Sequence, residues 1–371
     1  MKRLLTLLLA GASLLASAQT TYKGLPVLEA AGKTADYRVD ARWRKGTWGF
    51  APEAVPDVLE LPVFGHTVQF GFYTGKDSIL FPLSAGTVRR FYVHTTDDKY
   101  ALTEVRGFDF QPLSVAAAPS RRDTFWYEQG VANPFLEQLR SNYALNDLVR
   151  NVGSDSARAL RILKWTHDQW SHNGSNEPSK PDALTILREA RGGKQFRCVE
   201  YGIVAASALN AVGLPARVLA LKTKEVETTA SGAGHVLLEV YLSDLKKWVL
   251  MDGQWDAMPV LNGVPLNAVE FQQAIARNYD ALQIRSLSGT DKEAYASWIF
   301  PYLYYFDVKF DNREGPGRKL ATQGGKPSLM LVPEGAKEPT VFQKEWPINN
   351  VVYTHSAADF YAAPAAVVGS R

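Results

Sequence analysis

Residues Cys198 to Val212 are apolar on nearly every side: Val199, Ile203, Val204, Ala205, Ala206, Ala208, Leu209 and Ala211 leave no polar face. A helix of that kind has to be enclosed by other elements. The fold must therefore be layered around it. Gly213 suits its C-terminal stop, and Pro215 follows two residues on. Three strand-like runs come next: Arg217 to Leu221, Val236 to Leu242 and Trp248 to Met251. Between the first two, Lys222 to Gly234 is polar and Gly-containing, a mobile loop by composition.

Upstream, the pattern has helical spacing over Asn133 to Arg150 and Ser156 to Trp170, with a short helix over Ala183 to Glu189 capped by Asp182. Earlier still the period is two. Runs such as Thr67 to Tyr73 and Val88 to His94 alternate apolar and polar residues, and turn residues such as Gly75-Lys-Asp77 separate them. Short strands at that spacing predict a small sandwich. After Asp252, Ala268 to Leu282 reads as a helix, and Tyr304 to Phe310 and Ser328 to Val332 as strands. The fold class expected is α+β. The domains expected are a leader, 1–18; a β-rich domain, 19–120, ending in a linker at Pro112 to Ser120; a catalytic core, 121–290; and a β-containing extension, 291–371.

The leader has the build of a secretory signal peptide. Lys2 and Arg3 precede the apolar Leu4 to Leu15, and Ala16-Ser-Ala18 is a small-x-small cleavage site. The apolar run is shorter than the roughly 20 residues a spanning helix needs. The expectation is a secreted or periplasmic protein that does not span the membrane. Its formal charge of +3 falls by two without Lys2 and Arg3. That balance, with no basic block carrying interleaved aromatics, argues against a nucleic-acid partner.

The chain has one cysteine. An exported chain could use disulfides, but a lone cysteine forms none within the chain, so it is either a reactive thiol or a packed one. Cys198 stands where the buried helix begins. The free N–H groups and positive dipole end there favour a thiolate, and the same amides can bind an oxyanion.

A thiol nucleophile needs a base, and the base needs an orienting group. His235 opens one strand and Asp252 closes the next. If Tyr241 faces Lys246 across a four-residue turn, His235 lies directly opposite Asp252. Leu237 then faces Leu250, and Glu239 faces Trp248. Opposed side chains share a face with Cβ atoms about 4.5–5.5 Å apart. A slip of one residue would separate them.

Four stretches carry a resemblance: Phe196-Arg-Cys-Val-Glu-Tyr-Gly202, Ala211-Val-Gly-Leu-Pro-Ala-Arg217, His235-Val-Leu-Leu-Glu-Val-Tyr241 and Trp248-Val-Leu-Met-Asp252. Together they resemble the transglutaminase-like superfamily. The resemblance implies a papain-type core, with Cys198 as nucleophile, His235 as general base and then acid, and Asp252 as orienting carboxylate. It implies attack on an amide or peptide carbonyl through a thioester, without cofactor or metal. The partner would be a protein or peptide substrate, which could be glycosylated. Leu237 and Gly253 depart from the family pattern, which favours an aromatic and a proline there.

Trp165, Trp170 and Gln195 are the candidates for oxyanion donors, with core packing the competing role for the two tryptophans. Arg217 and Glu200 are expected to form a buried ion pair holding helix to strand. His167 and His172 lack the spacing of a zinc helix. The Tyr302-Leu-Tyr-Tyr-Phe306 cluster reads as core, with a stacking surface for sugar or peptide as the alternative. Two further functional readings stand beside protease, amidase or transglutaminase. One is a peptide:N-glycanase-like amidase, suggested by the Cys-Val-Glu-Tyr run. The other is an inactive scaffold that binds a partner.

Overall fold

The fold comes from a computed structural model, which describes residues 20–364 except 41, 51–56, 66, 122, 129–132 and 316–318. The expected signal peptide lies outside the described residues. The chain divides into two compact units, Met1–Phe110 and Gln111–Arg371.

The first unit is a sandwich. One sheet has the strands 21–22, 25–29, 88–94, 100–109 and 57–63 in that order, and the other has 42–49, 34–39, 68–73 and 78–83. Alternation decides what faces inward. On the strand Val68–Tyr73, Val68, Phe70 and Phe72 are buried and join Leu28, Phe91, Val93 and Val105 in one core.

The second unit is α+β. Its six-stranded sheet runs 247–251, 234–242, 216–222, 305–309, 328–331, 351–354. Neighbours are antiparallel except the last pair, Ser328–Leu331 with Val351–Thr354, which is parallel. The helix Cys198–Ala211 packs on this sheet, and eleven of its residues are buried. Val204, Ala205, Ala208 and Leu209 share a core with Leu238, Val240 and Leu242 of the strand Gly234–Leu242, and with Val249 and Met251 beyond. Leu136, Leu139, Ala159, Ile162, Leu163, Ile186 and Leu187, from three earlier helices, close the same core. The apolar helix is enclosed as its composition requires. Close approach explains Gly202: a Cβ there would stand 2.9 Å from the carbonyl oxygen of Leu237.

Most elements match their sequence signals, and the differences have physical causes. The unit boundary falls after Phe110, not at 120, because the expected linker is tied into the second unit. Leu113 N–H donates to Gln272, Ala116 bridges to Ser356, and Ser120 N–H donates to Asp359. The stretch 291–371 is likewise no appendage, since it supplies three strands to the central sheet. The helix from Ala268 ends at Arg277, and Leu282–Arg285 is instead a strand beside Met258–Leu261.

The expected Arg217–Glu200 pair does not form. Arg217 sits directly across from Glu239 on the neighbouring strand, with Nη2 donating to Oε2 at 2.7 Å. Both side chains are fully buried. Glu200 is taken by Arg197, three residues back, at 2.8 Å. Each carboxylate pairs with the guanidinium that its own element or register brings closest.

Candidate active site

Cys198 is the first residue of its helix, half-buried and not in a disulfide. The helix start is fixed from below. The Glu200 carboxylate accepts the backbone N–H of Arg197 at 3.1 Å, and Arg197 itself pairs with that carboxylate. Tyr201 donates its hydroxyl to the Trp170 carbonyl at 2.6 Å, which anchors the first turn to the preceding loop.

The strand pairing differs from the expected register by two residues. Tyr241 faces Trp248 and Leu242 faces Lys247, so the four-residue turn spans 243–246, one position later than expected. Moving a turn of fixed length by one position moves the register by two. Side chains alternate with period two, so every residue keeps its face. His235 and Asp252 are no longer directly opposite, but they still meet. His235 Nε2 lies 2.8 Å from Asp252 Oδ2, with both side chains buried.

Asp252 is held by four donors. Oδ1 accepts the backbone N–H groups of Gln254 at 2.9 Å and Trp255 at 3.3 Å. Oδ2 accepts His235 and the hydroxyl of Tyr295, the latter at 3.1 Å. Because Nε2 is committed to Asp252, Nδ1 is the ring nitrogen left for the sulfur. Cys198 lies near enough to this imidazole to favour its charged form.

Burial alone would lower the imidazole pKa. The charge and hydrogen bond of Asp252, and then the hydrogen bond to Cys198, outweigh it and push His235 up to about 9. A group whose pKa is raised on folding contributes stability that is complete below its unfolded value, about 6.5, and is lost as pH rises through the folded value. Wild type should therefore lose melting temperature relative to His235→Gln between pH 6.5 and 9. A difference that stays constant or grows over that window contradicts the pairing.

Aromatic side chains cover the pair. The Trp298 ring meets His235 edge to face at 4.7 Å, and Tyr302 lies 5.9 Å from the same imidazole. Burial, and then the neighbouring Cys198, raise the Tyr302 phenol pKa. Trp255 packs on Trp298 at 5.1 Å. His172 also lies within electrostatic range: burial first, then His235, lower its pKa. Gly253 fits a close approach, because a Cβ there would stand 3.2 Å from the Cβ of Tyr201. Leu237 is fully buried.

The three oxyanion candidates differ in their surroundings. Trp165 packs its ring on Tyr143, 5.7 Å away. Trp170 packs on Phe196 and Tyr201, the two aromatics flanking Cys198, and its indole N–H is buried without a partner. Gln195 is exposed, and its backbone carbonyl accepts the Asn176 amide. Sequence reasoning did not single out Tyr295 or Trp298. Their one available signal is spacing: they lie three apart, so they share one face of the helix Lys292–Ile299.

The model of the transglutaminase-like superfamily matches residues 143–253, a span that contains Cys198, His235 and Asp252. No curated protein matches the chain. Three solved structures are similar. A provisionally named cysteine protease from Cytophaga hutchinsonii is 13% identical over 54% of this chain and 71% of its own, with a TM-score of 0.27. A TGase is 20% identical over 32% of this chain and 30% of its own, with a TM-score of 0.23. A provisionally named protease from Parabacteroides distasonis is 16% identical over 44% and 39%, with a TM-score of 0.23.

Proposed function

We propose that this protein, whose residues 143–253 match the model of the transglutaminase-like superfamily, is a thiol-dependent enzyme acting on amide or peptide bonds outside the cytoplasm. One observation carries the reading. A free, half-buried cysteine neighbours a buried imidazole whose Nε2 is held by a carboxylate at 2.8 Å.

The chemistry follows from that order of contacts. In the reactive pair the Cys198 proton already sits on His235 Nδ1, and the thiolate attacks the carbonyl carbon. The C=O π electrons move to oxygen, where N–H groups of the first helical turn stabilise the charge. Collapse of this intermediate breaks the C–N bond, and His235 returns the proton to the departing amine. A thioester remains. Water then attacks it, His235 takes the water proton, and collapse releases an acid and restores the thiol. An amine in place of water gives a new amide. Asp252 holds the imidazole and stabilises its charged form throughout. The N-terminal features around Lys2, Arg3 and Ala16-Ser-Ala18 support export.

The test uses casein, casein with a dansylated amine, and an N-glycopeptide, each with wild type and Cys198→Ala. New peptide termini indicate a protease, ammonia release an amidase, amine incorporation an acyl transferase, and free glycan an N-glycanase-like amidase. The reading predicts at least one of these, lost in Cys198→Ala. Turnover of none, or turnover that survives the substitution, overturns it.

A further inference from the structure

The His235–Asp252 pair has a further contact that comes from beyond the matched segment. Tyr295 lies on the helix Lys292–Ile299 and is fully buried. Its hydroxyl donates to Asp252 Oδ2 at 3.1 Å, the same oxygen that binds His235 Nε2. Its ring stacks on Phe271 at 5.9 Å, and Trp255 flanks it at 5.7 Å. The helix is set by its own cap, in which Asp291 accepts the N–H of Ala294.

A carboxylate offers about four acceptor positions. Asp252 fills two on Oδ1 with backbone N–H groups, and these alone would let the group tilt about their axis. The phenol and the imidazole fix Oδ2 from separate elements. We propose that Tyr295 is a positioning residue of the active site: its hydroxyl locks the Asp252 carboxylate in the orientation that holds His235 toward Cys198. This rests on the thiol-enzyme reading above. It also assigns the C-terminal stretch a part in the chemistry, since the triad is incompletely supported without the 292–299 helix. The hydrogen bond of Tyr295 at this site goes to Asp252, so it acts through that carboxylate.

A double-mutant cycle separates that role from mere packing. In the full chain at pH 7, the readouts are the rate of Cys198 alkylation by iodoacetamide and the ultraviolet absorbance of the thiolate. The proteins are wild type, Tyr295→Phe, Asp252→Asn and the double variant. Tyr295→Phe is expected to slow alkylation about tenfold and to lower the thiolate absorbance, the loss expected for a hydrogen bond to a charged group. In the Asp252→Asn background the same substitution should change the rate less than about twofold. Tyr295→Met, which also lacks the hydroxyl, should repeat the slowing if the ring itself is not the cause. An unchanged rate in Tyr295→Phe, or equal slowing in both backgrounds, overturns the inference and leaves the thiol-enzyme reading intact. A wild type that alkylates no faster than His235→Ala removes both.

Discussion

Replacing Asp252 by Asn should lower amide turnover by about 10³- to 10⁴-fold, a magnitude carried over from Ser-His-Asp triads, with little change in KM. The cause is proton placement. Oδ1 of Asp252 is fixed by two backbone N–H groups. An asparagine at 252 would keep its carbonyl oxygen there and turn its NH₂ toward His235 Nε2. Two donors cannot share one hydrogen bond, so the imidazole would carry its proton on Nδ1 and accept at Nε2. The nitrogen beside Cys198 would then be protonated in the neutral ring and unable to receive the thiol proton. Shape and volume barely change, so the fold should persist. Circular dichroism checks the fold, and steady-state kinetics on whichever casein or glycopeptide reaction is found checks the effect. A loss below tenfold would mean that Asp252 does not set the tautomer.

The largest effect on stability is expected at Arg217. Its guanidinium is fully buried, donates to Glu239 at 2.7 Å and to the Phe360 carbonyl at 2.9 Å, and lies 4.2 Å from the Trp248 ring centre. Glu239 also accepts the Ala268 N–H at 3.1 Å. The group thus ties the central sheet to the chain's last helix and to the start of the helix Ala268–Arg277. Arg217→Ala would strand the Glu239 carboxylate in the core and open a void against Trp248. Removing one partner of a buried ion pair costs about 3–5 kcal/mol. Urea unfolding followed by tryptophan fluorescence should show a loss of that size. The double variant Arg217→Met, Glu239→Leu should recover most of it, because no charge is then left unpaired. A loss under about 1 kcal/mol, typical of exposed ion pairs, would contradict the burial.

Much of this was readable from residue order alone. The enclosed helix followed from its lack of a polar face, and the sandwich from alternation such as Val68, Phe70 and Phe72. The meeting of His235 and Asp252 could be read through an error, because the turn sits one residue later than expected and the two-residue slip preserves which side chains share a face. What was not readable depends on long-range packing. Tyr295 reaches Asp252 across 43 residues of chain, and no local period encodes that contact. Local sequence offers Glu200 as the partner of Arg217, but the long-range pairing of the strand Ala216–Lys222 with Gly234–Leu242 puts Glu239 opposite. The C-terminal strands read as an extension because a short strand carries no mark of which sheet it joins. The parallel pair Ser328–Leu331 and Val351–Thr354 illustrates this.

The proposed activity depends on one contact, the His235 imidazole beside the Cys198 sulfur, and chemical labelling reads it directly. Iodoacetamide should modify Cys198 rapidly at pH 6, well under the value near 8.5 where an ordinary thiol ionises, because His235 keeps its proton up to about 9. In His235→Ala that low-pH reactivity should vanish, leaving a rate that climbs only toward pH 8 and above. Slow labelling at pH 6 with the same climb in both proteins would contradict the account.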